Sequence, residues 1–375
     1  MQIGYDAKRV FHNASGLGNY SRDLVRILAT YYPKNNYHLY NPKKGKLDRW
    51  KTLPNTTEHQ PRGIWQWLHA LWRQGPIVRQ LKKDKIDLYH GLSGELPKGI
   101  DIPSVVSVHD LIFYRYPKLY KSVEVAIHKQ KVNHAVKTAS KVVAISQQTK
   151  ADLIKFTGLP ESKIEVIYQG CHPVFKTTLS KKDLTAIAEK YQLPEKFVLF
   201  VGTLEARKNA LSIAKALKET RCHMVFVGKV KAYGEKLKAY VKDNNIEERV
   251  VFINHISIED LAGIYQCATV FCYPSFFEGF GIPIIEALYS GVPVITTKGG
   301  CFSEAGGESS IYIDPTDENA LCNAVKALYT ESESARKNRI QKGFEYAKQF
   351  NDEILAAKWN ALYKNILKEE QKNPL

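Results

Sequence analysis

Two arrays of short apolar strands, each strand followed by a helical pattern, predict an α/β protein made of two doubly wound, Rossmann-like domains. Three observations carry this reading. The runs "KFVLFVG", "CHMVFVG" and "VVFI" are apolar without alternation, as parallel strands covered by helices on both faces require. Helix-start signals stand between the strands: Ser146 opens "SQQTKADLIKF", and Ser257 with Asp260 makes a capping-box spacing in "SIEDLAGIYQ". The 375 residues are more than one hydrophobic core ordinarily serves.

In chain order, the first array places strands near 2–5, 37–40, 86–90, 104–108, 141–145 and 164–167. The second places them near 197–201, 223–227, 250–253, 269–272, 293–296 and 310–313. The segment "YQGCHPVF", 168–175, follows a strand and holds Gly170 and Pro173, so the domain boundary falls there. Residues 351–370 carry Ile354, Leu355, Trp359, Leu362, Tyr363 and Ile366 on one helical stripe, and no strand follows them.

Composition narrows the class. Apolar residues make up 44% of the chain, as in a globular protein. No stretch reaches the roughly 18 continuous apolar residues of a membrane span. The amino-terminal "MQIGYDAKRV" reads as a strand and not as a signal peptide. The six cysteines lack metal-site spacing and read as reduced core residues of a cytoplasmic protein. Charge is the more informative quantity. Residues 1–170 hold 27 Lys+Arg against 13 Asp+Glu, whereas 171–375 hold 27 against 25, so nearly all of the +16 sits in the first half. That half should meet an anionic partner: nucleic acid, an anionic membrane face or a phosphorylated substrate.

The second half carries the chemistry. In "FFEGFGIPIIEALYSGVPVI", 276–295, a strand runs into a Gly279-Phe280-Gly281 turn and then a short helix, with Pro283 near its start and Gly291 just past its end. In open α/β sheets ligands bind at this edge, where helix amino termini attract phosphate and glycines admit a ligand to the backbone. Glu278 and Glu286 flank the turn, and a carboxylate accepts hydrogen bonds from a pair of sugar hydroxyls. Upstream, "FVGTLEARKNALSIAKAL" ends a strand at Gly202 and sets Arg207 and Lys208 at another strand-to-helix junction, which suits a diphosphate. The ligand so described has hydroxyls at its ends and phosphates in the middle, as in a nucleotide sugar.

These segments resemble glycosyltransferase family 4, the retaining GT-B enzymes, over essentially the whole chain. "EGFGIPIIEALYSGVPVI" and "GTLEARKN" resemble its donor-site motifs; "GLGNYSRDLVRIL", "VVSVHDLIFYRYP", "VVAISQQTKADLI" and "VIYQGCHPVF" resemble its glycine loop, histidine loop, strand–helix unit and linker. The resemblance implies a GT-B fold with a cleft between an acceptor-binding domain, 1–170 plus 351–375, and a nucleotide-sugar-binding domain, 171–350, the last helix crossing back to the first domain. It implies that Glu286 binds the ribose, Glu278 the transferred sugar, and Arg207 and Lys208 the diphosphate. It implies that Phe280 and Gly281 offer backbone N–H groups, that Gly16 and Gly18 let a loop close over the phosphates, and that His109 positions the donor sugar. Gly202 belongs to the same donor-binding set. The segment "FINHIS" is implied to lie by the nucleobase, and its Asn254-His255 departs from the family's usual glycine. No Asp-x-Asp motif is present, so no metal or other cofactor is expected. The donor is expected to be GDP-mannose or a UDP-hexose, and the acceptor a glycan or lipid-linked glycan in cell-surface polysaccharide synthesis.

Residues 62–83 place Ile64, Trp65, Leu68, Leu71 and Trp72 on one helical face, with Trp67 off it, among Arg62, Arg73, Arg79, Lys82 and Lys83. That composition predicts peripheral contact with an anionic membrane, at the inner face of the cell membrane. Other classes fit less well. A nucleic-acid binder explains the basic half but not the two glutamates. A dinucleotide-dependent oxidoreductase is opposed by "GLGNYS", which stands about ten residues after its strand. A GT-B sugar-nucleotide epimerase shares the architecture and is the nearest enzyme alternative.

Overall fold

The computed structural model describes residues 1–372 except 46, 48 and 49. The chain forms two compact units, Met1–Gly170 with the segment from Phe350 onward, and Cys171–Gln349.

The first unit is built on a seven-stranded parallel sheet: β1 (Gln2–Asp6), β2 (Asn36–Tyr40), β3 (Thr56–His59), β4 (Leu88–Gly91), β5 (Ser104–Val108), β6 (Lys141–Ala144) and β7 (Ile164–Val166), in the order β3-β2-β1-β4-β5-β6-β7. The second is built on a six-stranded parallel sheet: β8 (Phe197–Val201), β9 (His223–Val227), β10 (Val250–Ile253), β11 (Val270–Tyr273), β12 (Val294–Thr297) and β13 (Ile311–Ile313), in the order β10-β9-β8-β11-β12-β13. Every residue of β8 is buried, which explains its unbroken apolar run; β5 is also buried throughout, with Ser104 and Ser107 set among its valines. Strand β3, "TTEH", has no apolar run. It pairs with β2 at the sheet edge and buries only Thr56, so its sequence carries no strand signal.

Helix starts follow local chemistry. The Ser146 hydroxyl accepts from the Thr149 N–H at 3.0 Å, and that of Ser257 from the Asp260 N–H at 3.1 Å, each supplying an otherwise missing acceptor. The six cysteines are free thiols. Among the described residues no helix is long and apolar enough to cross a membrane.

The last helix, Asp352–Lys372, packs onto the first unit. Leu355, Trp359, Tyr363 and Ile366 are at most 2% exposed, whereas Ile354 is 41% exposed and lies off the buried stripe. The Tyr363 hydroxyl lies 2.7 Å from His90 Nδ1 and 3.3 Å from the Tyr5 hydroxyl. His90 Nε2 and the Tyr20 hydroxyl each meet Ser107 Oγ at 2.8 Å. Burial pushes the His90 imidazole down to about 3, so it sits neutral in this chain of partners. Trp359 covers it at 4.8 Å between ring centroids, and Arg26 holds Asp352 at 2.7 Å.

Residues 62–83 do not form one amphipathic helix. They form a 3₁₀ turn (Gly63–Gln66), a single helical turn (His69–Trp72) and a helix (Ile77–Lys83). Gly63 takes φ +60°, and Gly75-Pro76 interrupts the pattern. Trp72 is buried, and Trp67, expected off the apolar face, is 83% exposed. Arg73 is not a solvated cation: it pairs with Asp6 at 2.9 Å and Glu95 at 2.5 Å.

Trp359→Ala should lower the stability of the first unit by about 3–5 kcal/mol, because it removes a fully buried ring and exposes His90. Denaturant unfolding measures this, and a loss below about 1 kcal/mol would contradict the docking described here.

Candidate functional site

The second sheet has its switch point at β8. The chain leaves β8 for β9 and β10 on one side, then returns to β11 on the other. Loops at the carboxyl ends of β8 and β11 therefore run in opposite directions and leave a crevice between them. A 3₁₀ turn after β8, Ala206–Lys208, presents two cations there, and the loop after β11 presents Glu278. Asn209 ends the turn in the left-handed region at φ +55° and is fixed by its Nδ2 donating to the Pro315 carbonyl at 2.7 Å. The loops are tied by backbone as well. The Phe276 N–H donates to the Arg207 carbonyl at 2.9 Å, and Arg207 Nη1 donates to the Phe277 carbonyl at 2.7 Å.

The side chains converge on one oxygen. Glu278 Oε1 lies 2.9 Å from Arg207 Nη1, 2.7 Å from Lys208 Nζ and 3.1 Å from the Tyr273 hydroxyl. Lys208 Nζ also donates to that hydroxyl and stands 4.8 Å above the Tyr273 ring. Arg207 Nη2 holds Glu205 at 2.9 Å, and Lys231 holds the other Glu205 oxygen at 2.8 Å. Three cations and two carboxylates leave one positive charge, which favours an anion at the strand ends. Burial pushes the Glu278 carboxyl up, but Lys208 and Arg207 outweigh it and hold it below the ordinary carboxylate range. Burial, with Arg207 adding to it, lowers the Lys208 ammonium despite Glu278.

Glu286 is held apart from this cluster, one turn into the helix Ile282–Tyr289. It is 9% exposed, and its Oε2 accepts from the Tyr265 hydroxyl at 3.0 Å. Burial raises its carboxyl to about 7, with the Tyr265 hydrogen bond opposing the shift. Gly281 caps that helix at φ +121°, a conformation that favours glycine. Phe280 is 2% exposed, so its ring packs inside the fold. Gly202 takes φ +150°, and a Cβ at Gly228 would lie 2.1 Å from the Gly202 carbonyl oxygen, so the ends of β8 and β9 pack backbone to backbone. Asn254 and His255 follow β10 exposed, with His255 at φ +49°.

In the first unit Gly16 is exposed and nothing crowds it, whereas a Cβ on Gly18 would lie 1.9 Å from the Asn13 carbonyl oxygen. Gly18 is thus required by the fold itself. His109, after β5, has both ring nitrogens engaged. Nε2 meets the Leu92 carbonyl at 2.9 Å, which can only accept, so Nε2 carries the proton and Nδ1 accepts from the Gln169 amide at 3.0 Å. Burial holds His109 down at about 4 and therefore neutral. A sugar hydroxyl reaches this ring only by displacing Gln169.

The structure brings Arg207, Lys208 and Glu278 together and sets Gly202, Gly281 and Glu286 in the same sheet-edge region of the second unit. Gly16, Gly18 and His109 belong to the first unit. Tyr273, Tyr265, Glu205 and Gln169 are partners that the sequence did not announce. Among the described residues no group of three or more His, Cys, Asp or Glu side chains is placed to hold a metal ion.

Residues 15–174 match the family described as Glycosyltransferase Family 4, and residues 184–346 match Glycosyl transferases group 1. The chain is 25% identical over 371 residues to the O-antigen chain mannosyltransferase B of Escherichia coli, covering 94% of this chain and 96% of that protein. It is 29% identical over 225 residues to the O-antigen chain mannosyltransferase RfbU of Salmonella typhimurium, covering 60% of each. Among solved structures, a sucrose-phosphate synthase from Thermosynechococcus elongatus superposes with a TM-score of 0.81 at 20% identity, over 98% of this chain and 100% of that one. The Anabaena protein HepE in complex with UDP and glucose superposes with a TM-score of 0.75 at 18% identity, over 97% and 100%. At these identities the structural likenesses bear on the fold alone.

Glu286 yields a pH prediction. The folded carboxyl titrates near 7, above its unfolded range, so its ionisation in the folded state is complete only above that pH. If ribose hydroxyls bind the ionised form, nucleoside-diphosphate affinity should fall about tenfold from pH 8 to pH 6 through this group. Glu286→Gln should lose that step in a calorimetric titration. Identical pH profiles for the two proteins would contradict it.

Proposed function

Because the chain belongs to glycosyltransferase family 4, with two Rossmann-like units of the GT-B class, we propose that it transfers a hexose from a nucleotide diphospho-sugar to a glycan or lipid-linked glycan acceptor, with retention of anomeric configuration. The observation that carries the reading is the convergence of Arg207 and Lys208 on Glu278 at the β8/β11 switch point. The cations receive the diphosphate, Glu278 receives hydroxyls of the transferred sugar, and Glu286 receives the ribose. Mannose is the proposed sugar and GDP-mannose the proposed donor, a choice supported by the mannosyltransferase names of the relatives. A UDP-hexose is the alternative donor. Cell-surface polysaccharide synthesis is the proposed setting.

The chemistry follows from the charges. As the bond between the sugar C1 and the β-phosphate oxygen breaks, negative charge gathers on the departing phosphate. A cation about 4 Å away at an effective dielectric near 20 is worth roughly 4 kcal/mol, about a thousandfold in rate if realised only in the transition state. Arg207 and Lys208 supply that charge from the protein's own side chains, so the proposed reaction uses no resident metal. The acceptor oxygen attacks C1 from the face the phosphate leaves, and its proton passes to the departing phosphate oxygen. No enzymic nucleophile is required. His109, neutral and with Nδ1 already accepting, acts as a positioning group and not as a base.

We further propose peripheral contact of residues 62–83 with an anionic membrane. Trp67 at 83%, Ile64 at 66% and Leu71 at 54% exposure support insertion, with Arg62, Arg79, Lys82 and Lys83 exposed nearby in the chain.

With GDP-mannose and an acceptor glycan, Arg207→Ala and Lys208→Ala should each cut turnover by roughly 10²–10³ while circular dichroism stays unchanged. Near-normal turnover in both would remove these residues from the mechanism. Vesicles containing anionic lipid should bind the protein at low salt and release it at high salt, and Trp67→Ser should weaken that binding. Equal binding to neutral and anionic vesicles would end the membrane reading.

A further inference from the structure

Arg207 is shared by two carboxylates, and the donor chemistry uses only one of them. Its Nη1 lies 2.9 Å from Glu278, and its Nη2 lies 2.9 Å from Glu205. Glu205 takes Lys231 on its other oxygen at 2.8 Å. Charges therefore alternate along the carboxyl edge of the second sheet: Lys231 after β9, Glu205 and Arg207 after β8, Glu278 after β11, and then Lys208.

The two carboxylates hold the guanidinium differently. Glu278 gathers Arg207, Lys208 and the Tyr273 hydroxyl on a single oxygen. Glu205 gives each of its cations a separate oxygen, Oε1 to Arg207 and Oε2 to Lys231. Its place is fixed by the backbone. The Leu204 N–H donates to the Lys229 carbonyl at 2.9 Å, Leu204 and Val230 form a parallel bridge, and the Lys208 N–H donates to the Glu205 carbonyl at 2.9 Å. A Cβ on Gly234 would lie 2.7 Å from Val230 Cγ1 and 2.9 Å from Leu204 Cβ, so the helix Ala232–Asp243 packs closely on this pair of segments. Burial pushes the Glu205 carboxyl up, but Lys231 and Arg207 outweigh it and hold it below the ordinary carboxylate range.

We propose that Glu205 is a positioning residue of the donor site: it retains the Arg207 guanidinium at the strand ends when a diphosphate displaces Glu278 from it. The role rests on the diphosphate reading of Arg207 and Lys208 given above. Phosphate oxygens seek the donors that Glu278 occupies, and their charge repels that carboxylate. The Phe277 carbonyl accepts from the same Nη1 and competes with the phosphate for it. Nη2 keeps its partner throughout. A guanidinium is planar, so holding Nη2 fixes the direction in which Nη1 points. Glu278 is then the exchangeable partner of Arg207, and Glu205 the permanent one.

The test turns on a sign. Removing a carboxylate from beside a cationic site should tighten anion binding if only charge matters. Positioning predicts the opposite. In calorimetric titrations of the full chain with GDP, and separately with UDP, Glu205→Gln should weaken binding of the tighter nucleotide by about fivefold. In the Arg207→Ala background the same change should weaken nothing, because the group it positions is gone. Glu205→Asp, which keeps the charge and shortens the reach, should weaken binding as Gln does. Tighter binding by Glu205→Gln, or an equal loss with and without Arg207, would overturn the proposal and leave the diphosphate reading in place. Nucleotide binding that is absent, or unchanged by Arg207→Ala, would overturn both. Binding as expected in a chain that transfers no sugar would remove the transfer reading and keep the role of Glu205.

Discussion

The second unit is organised around one partly buried carboxylate that answers two cations. Taking Glu278, Arg207 and Lys208 out of water costs several kcal/mol per ion, and their mutual attraction repays it only if the geometry is fixed. The fold supplies that geometry from both sides. The loops after β8 and β11 are joined backbone to backbone, the Tyr273 hydroxyl joins the cluster from the end of β11, and Glu205 occupies the other side of Arg207. The two cations are thereby held side by side, as a diphosphate needs, and the cluster keeps one uncompensated positive charge. A parallel sheet that reverses direction at β8 is what allows these loops to part.

The first unit uses burial differently. Its polar core is a chain of neutral partners, Tyr363, His90, Ser107 and Tyr20, in which every hydrogen-bonding group is met without a formal charge. That chain docks the final helix, so the last twenty residues of the described chain return to the first unit and not to the second. The charged cluster of this unit, Arg73 with Asp6 and Glu95, lies instead at the sheet's carboxyl edge, where the strand order reverses between β1 and β4. In each unit the ionic group therefore sits at the switch point of its sheet.

Much of this was legible in the sequence where burial leaves a simple signature. β8 and β9 are covered on both faces, and their apolar runs mark them. Arg207, Lys208 and Glu278 could be placed at strand-to-helix junctions because glycine, proline and capping residues punctuate those junctions. Strand β3 was not legible, since an edge strand that buries only Thr56 needs no apolar run. The periodicity of 62–83 misled, because Gly63 and Gly75-Pro76 break the helix that the apolar spacing implies. The partners of the site residues, Tyr273, Tyr265 and Gln169, depend on contacts between distant segments and leave no local pattern. The mixed reason for the glycines was hidden as well: Gly18 is demanded by the Asn13 carbonyl, whereas Gly16 is not crowded at all.

The account stands on the claim that the Arg207–Lys208–Glu278 cluster is a diphosphate site. A crystal structure of the protein soaked with GDP, and separately with UDP, tests it most directly. The account predicts β-phosphate oxygens within about 3 Å of the Arg207 guanidinium and the Lys208 ammonium, at ordinary charge-assisted hydrogen-bond distance, with the ribose hydroxyls on Glu286. A nucleotide bound with its phosphates away from both cations, or with its ribose away from Glu286, would contradict it.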